Sequence, residues 1–148
     1  MSLMFSSCSG LTNLDVSGFN TVKVTNMSQM FYGCKSLTTL DMSGFNTDNV
    51  TYMTRMLFGC SGLTAIYAGS EWSIANVVDG TAMFEDCTNL AGGAGTTYSQ
   101  EHTDYTYAHI DGGTENPGYF TEKSSSYNEA YAVLVIDENN TASLTMYY

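Results

Sequence analysis

Four cysteines, two histidines each placed two residues before a carboxylate, and a periodic row of aspartates are the side chains here whose types suit chemistry. Cys8, Cys34, Cys60 and Cys87 are separated by 26, 26 and 27 residues, so no Cys-x-x-Cys pair of the kind that metal sites favour is present. One cysteine at a fixed interval, just after Gly33 or Gly59 and just before Leu37 or Leu63, fits a column of small buried residues. Disulfides between neighbouring turns stay open as a second reading, because stacking brings equivalent side chains close without ensuring the bond geometry. A redox or nucleophilic role is the third.

His102-Thr103-Asp104 and His109-Ile110-Asp111 would each share a face if they lay on a strand, which makes a metal site conceivable. The competing reading is ordinary structural use, with His109 hydrogen-bonded locally. No Gly-x-Ser-x-Gly nucleophile elbow occurs. An enzyme is not expected, no metal ligand is assigned, and no cofactor is called for; a metal-dependent hydrolase using His102, His109 and nearby carboxylates is the remote alternative.

The elements that position these residues come from an internal repeat. Met1-Ser2-Leu3-Met4-Phe5 matches Met27-Ser28-Gln29-Met30-Phe31, and Met53-Thr54-Arg55-Met56-Leu57 continues the series. Leu11, Leu37, Leu63 and Leu90 keep the period, as do Leu14, Leu40 and Ile66. Phe19, Phe45 and Trp72 follow once one inserted residue is allowed, and Val24, Val50 and Val77 return to step. So many apolar columns at one period imply a stacked solenoid in which each repeat is one turn.

Within a turn, Val24, Met27, Met30, Phe31 and Cys34 fall at steps of three or four, which predicts a helix of about two turns, capped by Thr25 or Thr51 and ended by Gly33 or Gly59. Leu37, Leu40 and Met42 are the inward positions of a short strand over 37–43, with Gly44 and Asn46 at the following bend. The expected fold class is therefore an α/β repeat, a leucine-rich-repeat-like solenoid with 26-residue turns of short strand plus short helix. Nine methionines at repeat spacing read as core filler rather than as soft metal ligands.

Composition narrows the partners. The 148 residues carry a formal net charge of -11, which opposes phosphate backbones and anionic lipid, so nucleic acid is not an expected partner. No run is long and apolar enough for a transmembrane segment, and the first residues lack the pattern of an export signal.

The pattern Met-x-x-Met-Phe-x-x-Cys-x-x-Leu-Thr-x-Leu-Asp-x-Ser-x-Phe-x-Thr-x-x-Val-Thr, spelled by Met27 to Thr51, resembles the BspA-like leucine-rich repeats of bacterial surface proteins and mycoplasma lipoproteins. The resemblance covers Met1 to about Lys123. Gly92 to Phe120 is similar to the module that closes such arrays, with Tyr105, Tyr107, Ile110, Tyr119 and Phe120 placed to cover the last apolar layer. What the resemblance implies is secretion, a place outside the cell or on the surface of a bacterium, and adhesion to a host extracellular-matrix protein, a glycan or another cell-surface protein. It brings no catalytic residues.

Three units are expected: the repeats over 1–90, their C-terminal cap over 91–123, and a β-hairpin over 124–148. The hairpin has strands Tyr131–Ile136 and Thr141–Tyr148 around the link Asp137–Asn140, and it is expected to belong to a further β-rich module of a longer chain. The candidate binding strip is the outward side of the strands: Asn13, Asp15 and Ser17, then Thr39, Asp41 and Ser43, then Ala65 and Tyr67. The competing view makes it a solvated face. The expected function is a non-enzymatic surface repeat module that binds protein or glycan over an extended face, or else a stalk presenting another domain. Met4, Phe5 and Leu11 at the N-terminal edge, or the terminal hairpin, are expected to promote self-association.

Overall fold

The destination of each backbone N–H decides how the repeat folds. In the computed structural model, which describes residues 1–123, 131–136 and 142–147, alternate N–H groups leave their own turn. Met27, Gln29, Phe31 and Gly33 donate to the carbonyls of Tyr52, Thr54, Met56 and Phe58 at 2.9, 3.0, 2.9 and 2.7 Å. The residues between them, Met30, Tyr32 and Cys34, donate three positions back to Met27, Gln29 and Phe31. The next repeat does the same, with Met53, Arg55, Leu57 and Gly59 bonded to Asp79, Thr81, Met83 and Glu85. Each segment is thus a zigzag of tight turns laid on its neighbour. Its corners are left-handed: φ is 56° at Gln29, 53° at Arg55, 71° at Gly33 and 73° at Gly59, as the third residue of a type II turn requires.

The expected helix over Val24 to Cys34 does not form, and with it the helix-plus-strand, leucine-rich-repeat-like solenoid is overturned. Among the described residues the helical stretches are two three-residue 3-10 turns, Tyr105–Tyr107 and Gly113–Glu115. The physical reason is that a turn closed by an i to i+3 bond and a helix both return side chains to one face every three or four residues. Apolar spacing therefore fits either. A helix, however, keeps its N–H groups to itself, whereas here every second one is bonded to the next repeat, and the left-handed corners at Gln29 and Gly33 are incompatible with a helical path.

Three short strands form one parallel sheet in the order β1 (Thr39–Met42), β2 (Ala65–Ala68), β3 (Phe120–Glu122). Thr39 pairs with Ala65 and Met42 with Ala68, one repeat apart, and Ile66 pairs with Phe120. Alternation places Leu40, Met42, Ile66, Ala68 and Phe120 inside, all fully buried. Two further strands, β4 (Tyr131–Ile136) and β5 (Ala142–Tyr147), pair antiparallel with Tyr131 opposite Tyr147. The expected link over 137–140 lies outside the described residues.

The columns of the repeat make the core. Met27 and Met53; Met30, Met56 and Met83; Phe31, Leu57 and Phe84; Cys34, Cys60 and Cys87; and Leu37, Leu63 and Leu90 are all buried. Full burial of each such side chain contributes roughly 1.5–3 kcal/mol, and no single short turn could collect enough of this alone. The first layer is more open: Leu3 and Met4 are 57% and 48% exposed, while Phe5 is half-buried and stacked on Phe31 at 5.7 Å.

After Leu90 the chain leaves the repeat and wraps the end of the array. Phe84 donates to Thr103 and Tyr105 to Gly80, and the chain returns so that β3 lies beside β2. Tyr119 and Phe120 meet Phe84 edge-on at 5.0 and 5.9 Å, and Trp72 packs edge-on to Phe120 while its indole N–H donates to Ala108.

Two glycines separate the constraints of conformation and of space. A Cβ at Gly33 would meet only ordinary contacts at 3.7 Å, so Gly33→Ala should cost about 1 kcal/mol for its left-handed φ. A Cβ at Gly62 would stand 2.4 Å from the Lys35 carbonyl oxygen of the preceding layer, so Gly62→Ala must push two layers apart and should cost more, roughly 1–3 kcal/mol. Urea unfolding of the two variants should rank them in that order.

Candidate binding groove

The zigzag exposes a face that strand alternation does not reveal. Residues next to the buried Phe31 and Leu57 point outward, and Tyr32 and Phe58 stack with ring centroids 5.0 Å apart and planes 8° from parallel. The Arg55 guanidinium lies 5.9 Å from the Phe58 ring centre. Beside this wall the backbone of Gly33 and Gly59 forms a bare floor, because left-handed corners at these two layers carry no side chain. Ser7 and Asp86 occupy the same corner in the first and fourth layers, and Ser9, Lys35 and Ser61 also line the opening. The result is an open groove of about 510 Å³ crossing four layers.

None of the residues of the strip expected from the sequence lines this groove. Asn13, Asp15 and Ser17 are exposed, Thr39 is exposed, and Asp41, Ser43, Ala65 and Tyr67 are half-buried. Two of its acids are used locally: Asp15 accepts from the Ser17 N–H at 2.9 Å and Asp41 from the Ser43 N–H at 3.0 Å. Asp41 also pairs with Lys123, whose ammonium sits 5.8 Å from the centre of the Tyr67 ring. Lys123 thereby bridges β1 and β2. The groove residues Tyr32, Phe58, Gly33, Gly59, Lys35 and Asp86 were not singled out as a site by the sequence reading. The signal was present, since Tyr32 and Phe58 repeat at 26 residues beside the Gly33 and Gly59 pair, but on a helix they would have been the solvent flank.

The histidine–carboxylate pairs are occupied structurally. Asp104 caps the 3-10 turn Tyr105–Tyr107 by accepting from the Thr106 N–H, and His102 stacks on Tyr107 at 4.3 Å. His109 Nδ1 lies 2.8 Å from the Ile110 carbonyl. Asp111 is buried and accepts five hydrogen bonds, from the N–H groups of Ala94, Thr96, Gly113 and Gly118 and from the Thr96 hydroxyl. Among the described residues no three His, Cys, Asp or Glu side chains are grouped to hold a metal ion, and no helix is long and apolar enough to cross a membrane.

Residues 1–111 match a family described as Mycoplasma protein of unknown function, DUF285. The chain belongs to that family. No curated protein and no solved structure matches it. The matched span of this DUF285 protein includes every layer that lines the groove and ends at Asp111.

All four cysteines of the DUF285 protein are free thiols. Each buried one is engaged by the preceding layer: the thiols of Cys34, Cys60 and Cys87 donate to the carbonyls of Phe5, Phe31 and Leu57 at 3.2, 3.0 and 3.1 Å. Burial, with a lesser contribution from the neighbouring thiol, pushes Cys60 up to about 12 and raises Cys34 and Cys87 as well. Thiolate chemistry is suppressed there. Cys8, half-buried in the open first layer, should react first with a thiol reagent, and the other three should react only when the protein is unfolded, a pattern that labelling followed by mass spectrometry reads directly.

Asp111 ties the 92–96 loop to the 112–118 turn. Burial works against its charged form, but the bonds from Thr96, Gly113 and Ala94 outweigh it and hold the carboxyl well below the usual carboxylate range. A depressed folded pKa stabilises above the unfolded value of about 3.9 and is lost as pH falls through and below it. Asp111→Asn turns an amide donor toward existing donors and should cost about 1–3 kcal/mol at neutral pH. The variant should also lose stability less steeply between about pH 5 and pH 2 than the parent, which denaturant melts across that range would check.

Proposed function

We propose that this protein is a non-enzymatic binding module of a bacterial surface, which holds a macromolecular partner along the outside of its stacked layers. The observation that carries the reading is the columnar surface: one repeat position, held by Ser7, Gly33, Gly59 and Asp86, lines one open groove across four repeats, an arrangement suited to contacts spread along an extended partner. Kinship with BspA-like surface proteins, on the repeated Met-Phe, Cys and Leu-Thr-x-Leu-Asp elements, belongs to this proposal. So do an extracellular or cell-surface location and a partner drawn from host extracellular-matrix protein, glycan or another cell-surface protein. The thiols that would serve as nucleophiles donate instead to backbone carbonyls, and Asp104 and Asp111 hold turns together, which supports a binding rather than a catalytic role.

A stalk that presents another domain is the second reading. It is favoured by the continuous ladder of interlayer hydrogen bonds, which would stiffen the array. The exposed Leu3 and Met4 of the first layer add a proposed site of self-association.

Deleting one layer, residues 27–52, separates the readings, because it shortens the groove while Met1–Asn26 retains equivalent partners in the following repeat. Surface-binding assays against immobilised matrix proteins and glycans should show a signal for the parent that falls about tenfold or more in the deletion variant. A signal unchanged by the deletion would leave the stalk as the better account.

A further inference from the structure

We propose that the first layer, Ser2 to Ser7, is a docking edge for a segment of a separate polypeptide that folds in the same zigzag and enters with its backbone N–H side foremost. The inference goes beyond the groove and rests on the polarity of the interlayer hydrogen bonds. At each interface the N–H groups of one layer meet the carbonyls of the next: Leu3, Phe5 and Ser7 donate to Ser28, Met30 and Tyr32, and Gln29, Phe31 and Gly33 donate to Thr54, Met56 and Phe58. Every layer therefore has a donor side and an acceptor side, and all point the same way.

The acceptor side of the first layer is the one left open. Among the described residues the carbonyls of Ser2, Met4 and Ser6, one period before those of Ser28, Met30 and Tyr32, receive no hydrogen bond. The edge already holds the shape of the interlayer contact, with φ at 61° for Leu3 and 62° for Ser7, the left-handed corners of the zigzag. Met4 is 48% exposed, whereas Met30 and Met56 in the same column are fully buried. A fitting cover is thus apolar and hydrogen-bonding at once.

Polarity selects the occupant. A regular β-strand turns both N–H and C=O groups to one edge, so it would set carbonyls against carbonyls here. A zigzag turn presents N–H groups alone on one side, as Met27, Gln29, Phe31 and Gly33 do. In a second copy of this chain that donor side lies under the wrapping segment, where Phe84 donates to Thr103 and Asp86 to the Tyr98 hydroxyl. Contact between two copies through Leu3 and Met4 would leave the carbonyls of both edges unmatched.

The test titrates a fluorescent peptide of residues 27–52 with the full chain under reducing conditions and reads anisotropy. Binding should saturate at one peptide per chain and should protect Met4 from oxidation by peroxide. Replacing the backbone N–H of Gln29 and Phe31 in the peptide by ester oxygens removes two donors and keeps every side chain; it should weaken binding about tenfold or more, as should Met4→Glu in the chain. Thr39→Ala, on the strand face, should leave binding unchanged. Equal binding by the ester peptide, or by a peptide of the same length with ordinary alternating strand sequence, would overturn the donor-side assignment. No binding to a chain whose thermal unfolding is intact would overturn the proposal, and so would a dimer of the chain that excludes the peptide, because it would give the edge to a second copy.

Discussion

Every outward-directed N–H of the Met-x-x-Met-Phe segment finds its carbonyl in the following repeat, and the remainder of the architecture follows from that one demand. Because the donors of Met27, Gln29, Phe31 and Gly33 must reach the next layer, the chain cannot coil on itself. It zigzags instead, and equivalent residues of neighbouring repeats are held one backbone spacing apart. The apolar side chains then stack as columns, and the strands β1 and β2 pair in parallel with a register of one repeat.

The same demand explains the cysteines. A small side chain with a weak donor fits beneath the carbonyl of the preceding layer, and the thiols of Cys34, Cys60 and Cys87 each bond one at the same repeat position. The column is packing and hydrogen bonding at once, in a site where a larger side chain would force layers apart. The segment after Leu90 answers the complementary problem at the end of the array. It brings Tyr119 and Phe120 against Phe84 and lays β3 beside β2, so that the last apolar layer is covered by residues outside the repeat.

Two surface regions of the scaffold differ in how the chain uses them. On one, Asp41 is engaged by Lys123 beside Tyr67, so the acidic strip foreseen from strand alternation is partly closed by its own chain. On the other, the left-handed corners keep Gly33 and Gly59 bare beside the Tyr32 and Phe58 rings, and a groove opens across the layers. The histidine–carboxylate pairs, which looked chemical in one dimension, are joints of the wrapping segment: Asp104 caps a turn and Asp111 gathers four backbone N–H groups.

What the sequence determined by itself was the period, the buried columns of the repeat, and the positions of β1 and β2, because burial repeats wherever the chain returns to the same depth and strand alternation leaves a two-residue mark on Leu40 and Met42; the strand expected around Asp15 does not form, and β3 carried no such mark. The path between Val24 and Cys34 was left undecided by the residues themselves, since apolar steps of three and four serve a helix and a chain of type II turns equally. Only the tertiary structure chose, through hydrogen bonds between residues about 25 positions apart that no local pattern encodes. The same choice turned Tyr32 and Phe58 into one wall and left Gly33 and Gly59 as its floor, so the location of the groove depended on long-range pairing rather than on any motif.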